Sequence, residues 1–212
     1  MKSKENLLEQ LKSLPHFSKS SIYQFGKQLG LADSTVDTYI SRFIRDRDII
    51  QLKKGLYIPM DFFSRKREDI SYSFYLANVI RLPSYVSSWA ALQYYNLTTE
   101  AIRNVTSVTL KVTRSYKIKA GNFDYQSIKR ELFSGFSLIK GKSGSSTGEF
   151  DFFIASPAKA LFDLLYFKTR QFRGVRPGKA KGLVEELRID MDEMSKKERD
   201  KFRVMIKEHT DE

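Results

Sequence analysis

Residues Phe17–Pro59 read FSKSSIYQFGKQLGLADSTVDTYISRFIRDRDIIQLKKGLYIP, and the reading of this stretch decides the fold of the N-terminal region. Ser18 can cap a helix whose apolar positions Ile22, Phe25 and Leu29 recur at helical spacing, and Gly30 follows where a left-handed residue closes such a helix. A turn over Leu31 to Asp33 opens a second helix. There Val36, Tyr39, Ile40, Phe43 and Ile44 fall on one face at about 100° per residue, and Ser34, Thr38, Ser41, Arg42 and Arg45 on the other. Beyond it, Ile49-Ile50-Gln51-Leu52 and Leu56-Tyr57-Ile58 alternate like strands around Lys53-Lys54-Gly55, which predicts a short hairpin with two lysines at its tip. A helix pair whose second member has a polar, arginine-bearing face suits the major groove, and a lysine-tipped hairpin after it suits phosphate. The expected architecture is a winged helix-turn-helix. Its expected DNA contacts are Ser34, Thr35, Thr38, Ser41, Arg42 and Arg45 from the helix and Lys53 and Lys54 from the wing. The bland alternative is an amphipathic helix pair with solvated charges.

Composition sets the bounds. A chain of 212 residues holds one large or two modest domains, each with a real core. The formal net charge is +12, a bias toward polyanionic partners. Residues 1–62 carry ten Lys and Arg against seven Asp and Glu, a net +3, which leaves +9 of that total for the remainder. Charge therefore does not concentrate in the helix pair. A secondary basic surface is expected from Arg114, Lys117, Lys119, Lys129 and Arg130 among the strands, and from Arg173, Arg176 and Lys179 in the tail. The absence of cysteine rules out disulfides, thiolate metal sites and thiol nucleophiles. No apolar run approaches about 18 residues, and Met1-Lys2-Ser3-Lys4-Glu5 leads straight into a helical pattern, so the protein is read as cytoplasmic with no membrane partner.

Outward from the opening stretch, Leu7, Leu8, Leu11 and Leu14 predict a first helix ending near Pro15. The polar run Asp61 to Asp69 reads as a solvated linker or the first turn of a helix, and the domain boundary is set there, giving 1–63 and 64–212. Ile70 to Leu82 is a helical pattern stopped by Pro83. Ser87 is the expected cap of an aromatic helix from Trp89 to Tyr95. Trp89, Tyr94 and Tyr95 could stack bases, but aromatics at helical spacing are ordinarily core. From Val105 to Thr113 the period becomes two, predicting a strand with one buried face. Tyr116 to Ala120, Phe123 to Tyr125, Leu132 to Ile139 and Phe150 to Ala155 follow as strands, with Gly121-Asn122 and Gly141 to Gly148 between them. The expected product is an α+β domain with a small, mostly antiparallel sheet. Ser156-Pro157 then starts a helix with an apolar stripe at Ala160, Leu161, Leu164, Leu165 and Phe167. A basic stretch from Lys168 to Lys181 leads to a helix near Leu183 to Leu187 and a last one from about Ser195 to Glu208.

Several segments, in unbroken order over most of the chain, resemble a known family. They are Gly55-Leu56-Tyr57-Ile58-Pro59, Arg81-Leu82-Pro83-Ser84-Tyr85-Val86-Ser87, Ala90-Ala91-Leu92-Gln93-Tyr94-Tyr95 and Gly121-Asn122-Phe123-Asp124-Tyr125. Ile128-Lys129 with Leu132-Phe133-Ser134-Gly135-Phe136, and Ala155-Ser156-Pro157-Ala158-Lys159-Ala160-Leu161-Phe162-Asp163-Leu164, complete the set. The family is that of the AbiE-type antitoxins of bacterial type IV toxin–antitoxin systems, winged-helix autoregulators associated with abortive infection and phage defence. Ser88-Trp89 and Asn96 depart from the Leu-Glu and Gly expected at those positions. The resemblance implies a repressor that binds inverted repeats in double-stranded DNA at its own promoter, as a monomer or weak dimer, and neutralises a nucleotidyltransferase-like toxin, directly or functionally.

Three stretches hint at enzymatic chemistry. Gly141-Lys142-Ser143 echoes a phosphate-binding loop, but the required first glycine falls on Phe136. Gly144-Ser145 with Glu149-Phe150-Asp151 has the residue types of a magnesium-dependent nucleotidyltransferase at too short a spacing. Asp190-Met191-Asp192 reads as a turn before a helix, and His16 and His209 stand without a cluster. The expectation is a regulator with no catalytic, metal or cofactor site. A nucleic-acid-processing enzyme, or a plain winged-helix regulator without a toxin, is the alternative.

Overall fold

The computed structural model describes residues 2–100, 103–140, 150–172 and 177–210. The chain is α+β, with a three-stranded antiparallel sheet and a six-stranded mixed one. It divides into two compact units, Met1–Tyr72 with Ile118–Gly121, and Ser73–Lys117 with Asn122–Glu212. The 63/64 division expected from the polar run falls inside a helix. That run is α4 (Met60–Lys66), anchored by buried Phe62, and the units part at Tyr72/Ser73 within α5 (Ile70–Ile80).

The first unit begins with α1 (Lys2–Lys12), which buries Leu7 and Leu11 and keeps Leu8 partly covered; Leu14, just past its end, packs against the same core. Strand β1 (Phe17–Ser18) leads into α2 (Lys19–Gln28), where the Ser18 hydroxyl accepts a hydrogen bond from the Ser21 amide as an N-cap. Gly30, at φ 71°, ends that helix in the left-handed region. Helix α3 (Asp33–Arg45) crosses α2 at Gly26, where an added Cβ would sit 2.5 Å from Val36 Cγ2. Glycine is what allows the two backbones to approach there.

Strands β2 (Ile49–Lys53) and β3 (Leu56–Pro59) form a hairpin, and β3 also pairs with β1, so the sheet order is β1-β3-β2. The two-residue β1 carries no alternating pattern and is not expected from the sequence. Val36, Ile40, Phe43, Ile22, Leu7 and Leu11 close one apolar core with Phe17, Ile49 and Tyr57. Each full burial of this kind contributes about 1.5–3 kcal/mol before entropy is counted.

In the second unit the sheet order is β6-β7-β5-β4-β9-β8, built from β4 (Ser84–Val86), β5 (Asn104–Thr109), β6 (Arg114–Ile118), β7 (Gly121–Ser127), β8 (Phe136–Ile139) and β9 (Phe152–Ala155). Parallel pairings of β5 with β7 and of β4 with β9 make it mixed rather than mostly antiparallel. The turn before β7 is Lys119-Ala120, so Gly121-Asn122 lies within the strand instead of separating two strands.

Strand β5 stops at Thr109, and its last three residues are all buried, against the expectation of one wet face. Both faces are covered: on one, Tyr125 donates to the α5 carbonyl of Ala77, and on the other Tyr85 reaches α7. Helices α6 (Ser88–Tyr94) and α7 (Pro157–Lys168) pack together on that second face. The Ser156 hydroxyl caps α7 as expected. Every residue from Ala158 to Tyr166 is buried, so α7 is a central helix rather than one with a single apolar stripe. Helices α8 (Pro177–Glu186) and α9 (Lys196–Thr210) complete the unit. No helix among the described residues is long and apolar enough to cross a membrane.

Candidate nucleic-acid interface

Helix α3 divides as its sequence predicts, with two exceptions. Val36, Ile40 and Phe43 are buried, whereas Tyr39 is half-buried and Ile44 is 36% exposed, so the apolar arc is narrower than expected. Ser34, Thr38, Ser41, Arg42 and Arg45 are exposed together on the outer arc, and Thr35 is half-buried at its edge. The helix backbone satisfies two of these side chains: Thr38 donates to the Ser34 carbonyl and Ser41 to that of Asp37, each at 3.0 Å. Their hydroxyls can still accept from a ligand.

The two arginines differ. Arg45 Nε donates to Asp46 Oδ1 at 2.9 Å, and Lys4 Nζ holds the other oxygen of that carboxylate at 3.1 Å. Arg45 and Lys4 together hold the Asp46 carboxyl below its usual range. Arg42 has no ion-pair partner among the described residues and keeps its full fork of donors.

Asp37, also exposed on α3, is a surface residue that the helical pattern does not single out. It accepts from Tyr23 Oη at 2.7 Å and pairs with Lys19 Nζ at 2.8 Å. The Lys19 hydrogen bond, then that of Tyr23, pull its carboxyl below the usual range, while the same Asp37 bond holds the Lys19 ammonium above its own. The Lys19 amide also donates to the Gly55 carbonyl at 2.9 Å, tying the start of α2 to the hairpin turn. Gly55, at φ 77°, makes the turn possible beside Lys54, which is exposed, whereas Lys53 is half-buried at the end of β2. Lys19, Lys54, Arg42 and Arg45 thus lie on one three-element unit, α2, α3 and the β2–β3 hairpin, with Asp37 and Asp46 interleaved. Neither carboxylate is visible as part of the surface from the apolar periodicity alone.

The expected secondary basic surface is less coherent. Arg114 and Lys117, on β6, stand at odd spacing and so point to opposite faces of the sheet. The Arg114 guanidinium lies 5.1 Å from the centre of the Tyr116 ring. Lys119, Lys129 and Arg130 are exposed. Arg173 and Arg176 lie outside the described residues, as does the Lys179 side chain.

A buried charged cluster occupies the second unit. Lys159 and Asp163, 2% and 0% exposed, form an ion pair of 2.6 Å one helical turn apart on α7. Asp163 also accepts from Tyr85 Oη at 3.0 Å and from Ser87 Oγ at 2.7 Å, and Lys159 donates to the Leu132 carbonyl at 2.8 Å. Ser87 therefore spends its hydroxyl on Asp163 instead of capping α6, the role expected from its position. Burial pushes the Asp163 carboxyl up, and Lys159 pulls against it. All four side chains are satisfied and enclosed, which fits a clamp holding α7 to β4 rather than a reactive site.

Of the stretches with an enzymatic flavour only part is described, and Asp151 there is half-buried. Gly141-Lys142-Ser143, Gly144-Ser145 and Glu149 lie outside the described residues. Asp190 Oδ1 accepts from the amides of Asp192 and Glu193, the turn expected there. Tyr94 packs against Phe74, Tyr95 and Phe152 as core, and the Tyr95 hydroxyl donates to the Ala155 carbonyl, so neither forms an open stacking platform. No group of three or more His, Asp or Glu side chains among the described residues could hold a metal ion. No protein-family model matches the chain, and no curated protein matches it significantly.

Proposed function

We propose that the first unit is a winged helix-turn-helix and that the protein is a non-catalytic, DNA-binding transcriptional autorepressor. In this reading α3 enters the major groove, with Arg42 reading a base edge, and the β2–β3 hairpin is the wing that carries Lys53 and Lys54 to phosphate. The observation that carries it is the outer arc of α3, where two arginines and three hydroxyl residues are exposed together opposite a fully buried Val36–Ile40–Phe43 seam. The ordered motifs that resemble those of the AbiE-type antitoxins are the ground for a second part of the proposal. The protein is the antitoxin of a type IV pair, acts at inverted repeats in its own promoter, and opposes a nucleotidyltransferase-like toxin.

Binding of the full-length chain to its own promoter fragment, followed by fluorescence anisotropy, tests the first part. Arg42→Ala is expected to cost about 1–3 kcal/mol at the cognate site and to relax base preference there. Arg45→Ala should cost less, because Asp46 already engages that guanidinium. Unchanged affinity in the double variant would remove α3 from the interface. Co-expression with a nucleotidyltransferase-like toxin placed under a foreign promoter tests the second part. Rescue of growth by the unaltered protein and by the DNA-binding-deficient double variant alike is expected if neutralisation uses a surface other than α3, and failure of both, with the native promoter absent, would assign it to repression.

A further inference from the structure

A cavity of about 360 Å³ opens on the α6/α7 face of the six-stranded sheet. Thr106, Asp124 and Gln126 from adjacent strands β5 and β7 line it, with Trp89 of α6 and Phe167 and Lys168 at the end of α7. Its volume is that of a small-ligand site.

Ser88 also lines it. The residue is 4% exposed, its hydroxyl has no hydrogen-bond partner among the described residues, and its backbone sits at φ 52°, where non-glycine residues are strained. That hydroxyl is itself enclosed by the protein, so the contacts the cavity offers come from the neighbours of Ser88.

The lining selects the ligand. Trp89 is half-exposed and offers an aromatic face. The Lys168 ammonium stands 5.9 Å from its ring centre, so the cation-binding capacity of the indole is already used and the added charge favours an anion. Lys168 is exposed, with no carboxylate partner among the described residues. Gln126 and Asp124 put amide and carboxylate groups on the floor, suited to the donor-rich edge of a heterocycle. Asp124 is held in place by Asn104 Nδ2 at 2.8 Å. A ligand that is flat and aromatic, rich in N–H donors and anionic at one end meets all of these, and that is the chemistry of a nucleotide.

We infer that this cavity binds a mononucleotide, with the base against Trp89 and Phe167 and the phosphate on Lys168. The inference is independent of DNA contact by α3.

Trp89 is the one tryptophan of the chain, so its fluorescence reports on this cavity alone. Guanosine and adenosine monophosphates, the two nucleosides, inorganic phosphate and a short oligothymidylate would each be titrated into the full-length protein. The monophosphates should quench saturably and bind at least about tenfold tighter than the nucleosides, a ratio set by one charge-assisted contact. Lys168→Gln, an exposed change that leaves the core intact, should abolish that ratio while the nucleosides still quench. Phe167→Leu should weaken nucleosides and nucleotides alike. Absence of saturable quenching by any monophosphate up to about 5 mM, where affinity would be negligible, would overturn the inference. So would an unaltered ratio in Lys168→Gln, or quenching by the oligothymidylate without any by mononucleotides, which would reassign the cavity to a strand.

Discussion

At the scale of single residues, the Lys159–Asp163 pair makes the sharpest stability prediction. Removing one partner strands the other charge in the interior, so Lys159→Ala should lose about 3–5 kcal/mol in urea denaturation of the full chain. Replacing both, as Lys159→Met with Asp163→Leu, should cost less than the single change even though Tyr85 and Ser87 lose their acceptor. Equal losses would mean that the clamp acts through packing and not through charge. Lys159 and Asp163 fall inside a helical pattern, but an i,i+4 Lys–Asp pair is usually a solvated surface feature. Only their burial against β4 makes them a clamp. Arg42 and Arg45 show the converse: both are legible as outward-facing from the 100° periodicity, while the Asp46 carboxylate that separates their roles is evident only in three dimensions.

At the scale of elements, the hairpin tests the reading of the first unit. If Lys53 and Lys54 meet phosphates, Lys53→Gln and Lys54→Gln should weaken all DNA sequences alike and lower the salt slope by about one unit for each phosphate left unneutralised. Salt-independent binding by the unaltered protein would remove the hairpin from the interface. Helices α2 and α3, the hairpin and the cap at Ser156 are legible because each has a local signal: a capping hydroxyl, a left-handed glycine or an apolar period. Strands β5 to β9 are less so. The end of β5 is buried on both faces, so alternation does not mark it, whereas β6 and β8 bury no residue and β7 keeps an alternating centre. The expected boundary after Phe63 lies within α4, where the polar run is the outer face of a helix with Phe62 buried beneath it, and the compact units part later, at Tyr72/Ser73.

At the scale of the whole molecule, buried phenols set an alkaline limit. Burial pushes the Tyr75 hydroxyl up to about 12, from an ordinary value of 10.0. Burial, then the neighbouring Tyr94 and Glu198, do the same for Tyr95, also to about 12. Ionisation is thus easier in the unfolded chain. The stability tied to these groups is fully present below pH 10.0 and is lost as the pH rises toward about 12. Urea midpoints measured across that window should fall steadily, with a shallower fall in Tyr75→Phe, where the group can no longer titrate. A midpoint independent of pH over the same range would show that these phenols stay open to solvent.

The sequence by itself determined the helices α2 and α3, the polar arc of α3, the lysine-bearing hairpin and the absence of cysteine chemistry, because each depends on residue identity or on neighbours within a few residues. Tertiary structure alone decided the rest. The mixed strand order brings Thr106 beside Asp124, and the packing of α6 and α7 on that face brings Trp89 to Lys168 and leaves the Ser88 hydroxyl without a partner among the described residues. These residues are as far as 80 positions apart, from Ser88 to Lys168, and no local propensity couples them. Their meeting follows from which faces must be buried together, a condition imposed by the whole chain at once.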